Sequence, residues 1–183
     1  EISLAHRGVL FLDEFPEFQR QVLEALRQPL EDGMITVSRA SGTAVFPSNI
    51  MLVASMNPCP CGHYGSSTGQ CTCNRSQILR YLNKISGPLL DRLDIHVEVD
   101  SVPFAQLSKM EEGEKSADIA KRVARARQLQ LERYKDDGIF RNSQLKPDQK
   151  NKYCAIDDEG MNILKQYFNR LSMSARAYDR VIK

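Results

Sequence analysis

Four consecutive apolar residues, Val9-Leu10-Phe11-Leu12, follow Gly8 and run straight into Asp13-Glu14. A short unbroken apolar run bounded by turn residues predicts a strand covered on both faces, as in a parallel sheet. That one segment commits the first part of the chain to a layered α/β fold. With 183 residues, 42% of them hydrophobic and 26% charged, the chain has enough apolar material for a real core without disulfides. The length suits one ordinary domain and a smaller second one. A net charge of +2 from 25 basic and 23 acidic residues excludes a strongly basic surface, leaving only local patches for nucleic acid. No apolar run approaches the ~18–20 residues of a membrane span.

Further along, Phe15-Pro16-Glu17 predicts a helix start, with Phe18, Val22 and Leu26 as its apolar stripe and an end near Pro29 or Leu30. Met34–Val37 and Thr43–Phe46 are β-prone and separated by Arg39-Ala40-Ser41-Gly42, which predicts a hairpin with an exposed tip. Ile50–Ser55 reads as a second buried strand ending at Met56-Asn57-Pro58, and Ile95–Val99 alternates like a sheet-edge strand. A helix is expected from about Ser76 to Lys84. Beyond Asp100 the pattern turns helical. A polar connector over 101–114 precedes a helix over 116–135 with Ala120, Ala124, Leu131 and Tyr134 on one face. A polar stretch over 136–155 follows, then helices from Asp157 to about Leu171 and from Ser174 onward. The expected division is 1–100, α/β, and 101–183, all helical. The chain opens without Met or a signal peptide and stops inside a predicted helix, so a piece of a longer cytoplasmic protein is the expectation.

Several polar residues sit where chemistry would need them. Nucleotide hydrolysis requires a carboxylate at a strand end to fix Mg²⁺ through its water shell, and a second beside it to polarise the attacking water. Asp13 and Glu14 meet that need; a solvated acidic turn is the plain alternative. Asn57 ends the second strand, where it can hydrogen-bond water or a γ-phosphate, or simply open the turn before Pro58. Arg92, between Asp91 and Asp94, is placed either to reach a neighbouring subunit's nucleotide or to make a surface ion pair. Arg176 starts the last helix, as a phosphate contact from a lid or as a solvated cation.

Four of the five cysteines, Cys59, Cys61, Cys71 and Cys73, fall within fifteen residues as C-x-C, nine residues, C-x-C. Two pairs closed by a glycine-rich loop can supply four thiolates to tetrahedral Zn²⁺. The pairs are tighter than the usual spacing, and His63 offers a replacement for one sulfur. Free thiols are the competing reading; disulfides do not suit a reducing compartment. Cys154 reads as an isolated thiol.

The segments Ala5–Glu14, Asn57–Gly62, Ile85–Asp94 and Leu171–Tyr178 together resemble the magnesium-chelatase-like AAA+ ATPases of bacteria, and among them the competence-associated branch. The resemblance spans nearly the whole chain and implies a partial AAA+ P-loop NTPase core with a β-hairpin insert, then an all-α lid. It implies that Asp13 and Glu14 are the Walker B pair, Asn57 sensor 1, Arg92 a trans-acting arginine finger and Arg176 sensor 2. It makes Met34–Phe46 the pre-sensor hairpin, whose Arg39 would face a DNA backbone or remain an ordinary solvated residue. The pattern G-x-x-x-x-G-K-[ST] is absent, and the family places it upstream, so these residues alone are expected to bind ATP poorly. The implied activity is ATP hydrolysis by a ring, a hexamer, that translocates DNA or migrates its branches, with ATP and Mg²⁺ as ligands. Two rivals stand beside it: the ATPase subunit of a magnesium chelatase, against which the cysteine loop argues, and a non-hydrolysing zinc-bearing module that binds nucleic acid.

Overall fold

The structure, a computed structural model, describes residues 1–66, 69–100, 102, 113–171 and 173–183. The chain divides into two compact units, Glu1–Pro103 and Phe104–Lys183.

In the first unit the apolar run forms strand β1, Val9–Leu12. A 3-10 turn at Phe15–Glu17 leads to helices α1, Arg20–Ala25, and α2, Arg27–Asp32. The hairpin strands are β2, Met34–Arg39, and β3, Gly42–Pro47, and β4 spans Met51–Ala54. Helix α3, Arg75–Leu82, and the single turn α4, Gly87–Leu90, complete the unit. Strands β1 and β4 pair in parallel, from Val9 opposite Met51 to Leu12 opposite Ala54. Side chains alternate across the sheet. Leu10, Leu12, Leu52 and Ala54 therefore share one face and pack on a core of Phe15, Leu23, Leu26, Ile85 and Leu89. Burying one such side chain stabilises the unit by about 1.5–3 kcal/mol.

The opposite face departs from the expectation of a strand covered on both sides. Val9 and Phe11 are each 59% exposed, Met51 62% and Val53 41%. Among the described residues, helices and turns cover one face of this two-stranded sheet only. Ile95–Val99 also differs from its expected strand. It has no ladder partner among the described residues, and Ile95, Val97 and Val99 stand exposed.

The first helix starts a turn later than its composition suggests, because Phe18 is extended (φ −67°, ψ 146°). The later start rotates the inward positions to Leu23 and Leu26, leaving Phe18 and Val22 exposed. Pro29 does not end the helical segment. It falls in the first turn of α2, where its missing N–H costs nothing, and Gly33 (φ 66°) stops the helix in the left-handed region. The hairpin turn is narrower than expected. Arg39 pairs with Gly42, so only Ala40 and Ser41 form the loop.

The second unit begins its described helices with α5, Ser116–Arg133, followed by α6, Lys150–Tyr153, α7, Asp158–Leu171, and α8, Ala175–Ile182. Its core is Tyr134, Ile139 and Leu145, with Tyr153 and Cys154 against it. The rings of Tyr134 and Tyr153 meet edge to face at 4.8 Å. Tyr134 donates its hydroxyl hydrogen to Asn142 Oδ1 at 2.9 Å. The stretch 136–155, polar by composition, thus supplies two of the three buried side chains of this cluster. The expected face of α5 is buried only at Tyr134, just past the helix; none of the residues within the helix is buried. Residues 101–114 lie, except for 102, 113 and 114, outside the described residues. Ser174 caps α8 by accepting from the Ala177 N–H at 3.1 Å.

Candidate active site and metal centre

The parallel register brings two chain exits together. Leu12 lies opposite Ala54, so Asp13-Glu14 leave β1 at the same edge where Ser55-Met56-Asn57 leave β4. This is the carboxyl edge of a parallel pair, where open α/β sheets bind ligands. One Asp13 carboxylate oxygen, Oδ1, accepts from the Ser55 hydroxyl and from the Glu14 backbone N–H at 2.9 Å. The Phe15 N–H donates to the Ser55 carbonyl at 2.9 Å, stitching the two exits a second time. Glu14 lies in the left-handed region (φ 50°, ψ 45°), a conformation costing a non-glycine residue about 1–2 kcal/mol. Backbone strain of this kind is found where neighbouring contacts over-determine a functional turn. Ser55 escaped the sequence reading because only the strand register shows which residue stands beside Asp13.

Asn57 is exposed at this edge. Beneath it lies Tyr81 of α3, only 6% exposed. Burial pushes the Tyr81 hydroxyl up from its ordinary value, while the Asn57 backbone N–H acts in the opposite direction. Lys84, just past α3, donates to both Glu17 carboxylate oxygens at 3.0 Å, tying the helix end to the turn that follows Glu14.

Arg92 follows α4 and is folded inward, its side chain 7% exposed. It donates to the Pro88 carbonyl at 2.6 Å and pairs with Glu31 of α2. Its Nε is buried with no hydrogen-bond partner among the described residues. Glu31 was missed because nothing in the sequence links positions so far apart. Arg39 stands at the hairpin end, exposed, beside the two-residue turn. Arg176 lies in the first turn of α8, in the second unit.

All four clustered cysteines come together, their sulfurs within 4.8 Å of one another. Cys59 lies 3.4 Å from Cys61 and 3.8 Å from Cys71, and Cys61 lies 3.6 Å from Cys71. Four sulfurs around one tetrahedral zinc at ~2.3 Å would sit about 3.8 Å apart, so these separations fit a single ion. No disulfide joins them. The tight C-x-C spacing is accommodated by Gly62 (φ 81°), which turns the chain immediately after Cys61. Backbone N–H groups of His63 and Thr72 hold the Cys61 thiol down to about 5, and burial pushes the Cys73 thiol up to about 12. His63 does not replace a sulfur in this cluster. Its ring lies over Gly69, where a Cβ would come within 2.6 Å of Nδ1.

A parallel sheet edge bearing an acid pair, a projecting hairpin and a separate helical unit define part of an AAA+ ATPase core followed by a helical lid. The chain belongs to the magnesium chelatase family: residues 1–107 match magnesium chelatase subunit ChlI, and residues 113–183 match the C-terminal region of that subunit. It is 46% identical over 187 residues to the competence protein ComM of Haemophilus influenzae, covering 100% of this chain and 35% of that protein. It is 43% identical over 184 residues to YifB of Escherichia coli and 42% identical over 184 to YifB of Salmonella typhimurium, again covering 100% of the chain and 35% of each. The chain therefore spans about a third of the length of these relatives. No helix among the described residues is long and apolar enough to cross a membrane.

Proposed function

We propose that this chain is part of a cytoplasmic ATP-driven motor that acts on DNA, as a translocase or branch-migration helicase in competence or recombination. The observation that carries the reading is the acid pair at the β1 exit, with Asp13 clamped by Ser55 beside the strand that leads to Asn57. The likeness to a competence protein supplies the biological setting. In this reading ATP and Mg²⁺ bind at the carboxyl edge, with the phosphate-cradling loop contributed by residues outside this chain. Asp13 orients the magnesium water shell. Glu14 accepts the proton of the attacking water, and Asn57 hydrogen-bonds that water or the γ-phosphate. Arg92 of one subunit neutralises charge on a neighbour's nucleotide, so the active form is a ring, a hexamer. Arg176 contacts phosphate from the lid, and Arg39 meets the DNA backbone from the hairpin. The metal of the four-cysteine centre is zinc in a structural role.

The test is steady-state ATP hydrolysis by the full-length protein, with and without forked or four-way-junction DNA. Strong stimulation by DNA is expected. Hydrolysis indifferent to DNA would instead favour the chelatase-type motor whose family name the chain shares. No hydrolysis in either condition would leave the non-hydrolysing nucleic-acid module.

A further inference from the structure

We propose that the four-cysteine zinc centre is a staple that positions Asn57 at the hydrolytic edge, so that metal loading and turnover are coupled. The inference rests on the reading of that edge as an ATPase site. Its grounds are where the two cysteine pairs enter and leave. Cys59, fully buried, comes two residues after Asn57. Cys73 comes immediately before Asn74, the N-cap of α3. That cap is reciprocal: the Gln77 N–H donates to Asn74 Oδ1 at 2.9 Å, and the Asn74 N–H donates to Gln77 Oε1 at 2.8 Å. Helix α3 then returns Tyr81 beneath Asn57, and its far end is tied to Glu17 through Lys84. One ion held by both pairs thus closes a circuit from the β4 exit, through the loop, along α3 and back to Asn57.

Without the ion, the link between Cys59, two residues past Asn57, and the start of α3 is broken, and the Asn57 segment keeps β4 and the Tyr81 contact. Second-sphere supports of this kind set ligand orientation rather than chemistry. Cys59, Cys61, Cys71 and Cys73 are accordingly positioning residues; none touches the acid pair among the described contacts.

The experiment uses the full-length protein, zinc-loaded and zinc-stripped, with circular dichroism and thermal unfolding to verify that the stripped form stays folded. One zinc per subunit is expected by elemental analysis, and Co²⁺ replacement should give the intense visible bands of a tetrahedral tetrathiolate. The double variant Cys61→Ser/Cys71→Ser should lose the metal, while Cys154→Ser keeps it. Zinc removal should speed hydrogen exchange of the amides from Ser55 to Cys61. It should also lower kcat about 10–100-fold with nucleotide affinity nearly unchanged. In Asn57→Ala, removing zinc should add little further loss, because the group being positioned is already gone. Absence of bound zinc overturns the proposal. So does zinc whose removal leaves exchange at 55–61 unchanged. If the full-length protein never hydrolyses ATP, the reading of the edge fails, while metal content and exchange still decide whether the staple exists.

Discussion

Asp13 and Glu14 are adjacent in the chain, yet their surroundings differ, and the proposed mechanism gives them different work. Asp13 has one oxygen fixed by the Ser55 hydroxyl and the Glu14 N–H, an arrangement suited to a group that must hold still beside a cation. Glu14 sits on a left-handed backbone just past that clamp, exposed to the solvent from which the proposed mechanism draws its attacking water. Replacing Glu14 by Gln keeps shape and removes proton acceptance. In the full-length protein Glu14→Gln should bind ATP normally and lose about 10²–10⁴-fold in turnover, read by nucleotide binding beside single-turnover hydrolysis. Ordinary turnover in that variant would remove Glu14 from the mechanism. Ser55→Ala tests the clamp itself. It removes one neutral donor, so folding stability should fall by about 1 kcal/mol. The distinctive sign is a several-fold rise in the Mg²⁺ concentration needed for half-maximal hydrolysis; an unchanged requirement would make Ser55 a packing residue only.

Strands β1 and β4 were legible because each is an apolar run that ends in polar residues, and that pattern does not depend on the neighbours. Their pairing was not, and Ser55 became visible only through it. The start of the first helix was misplaced because Pro16 and Glu17 are good first-turn residues, yet the same residues serve a 3-10 turn when the chain must bend around Phe15. Ile95–Val99 shows the converse: alternation proposes a strand, but a strand exists only where a ladder partner lies beside it. The four cysteines were legible as a set, while the choice among sulfurs and His63 needed the fold to bring Gly69 against the ring. The hairpin was the easiest element, since its turn residues and alternating flanks agree. Its tip carries a prediction of its own. Arg39 stands beside a two-residue turn on an element with no buried side chain in either strand. If the hairpin tracks a phosphate backbone, Arg39→Ala should weaken DNA binding uniformly across sequences. It should also reduce the slope of log affinity against log salt by about 1, measured by titrations at several salt concentrations. An unchanged slope would return Arg39 to the ordinary solvated surface.

Glu14 and Arg92 belong to the same unit, yet the proposed chemistry uses them in different subunits, and this separates a motor from a folded domain that merely resembles one. In the single chain Arg92 is tucked away against Glu31 and the Pro88 carbonyl. A buried guanidinium paired with one carboxylate is a sufficient structural role, because removing either partner leaves the other without its hydrogen bonds. A trans-acting role requires more: Arg92 must leave Glu31 when a neighbour presents a nucleotide whose phosphates offer denser negative charge. Mixing inactive variants of the full-length protein distinguishes the two. Glu14→Gln and Arg92→Ala should each abolish hydrolysis while retaining nucleotide binding. In an equimolar mixture, roughly a quarter of the subunit interfaces join an intact Glu14 to an intact Arg92, because a head-to-tail ring gives each interface one direction. Hydrolysis should return in about that proportion. Were Arg92 only a structural tie, Arg92→Ala would lower the unfolding midpoint, and mixing would restore nothing beyond the sum of the parts. Glu31→Gln sharpens the comparison. It weakens the tie without touching the guanidinium, so under the trans reading hydrolysis survives or rises, whereas under the structural reading it falls along with stability.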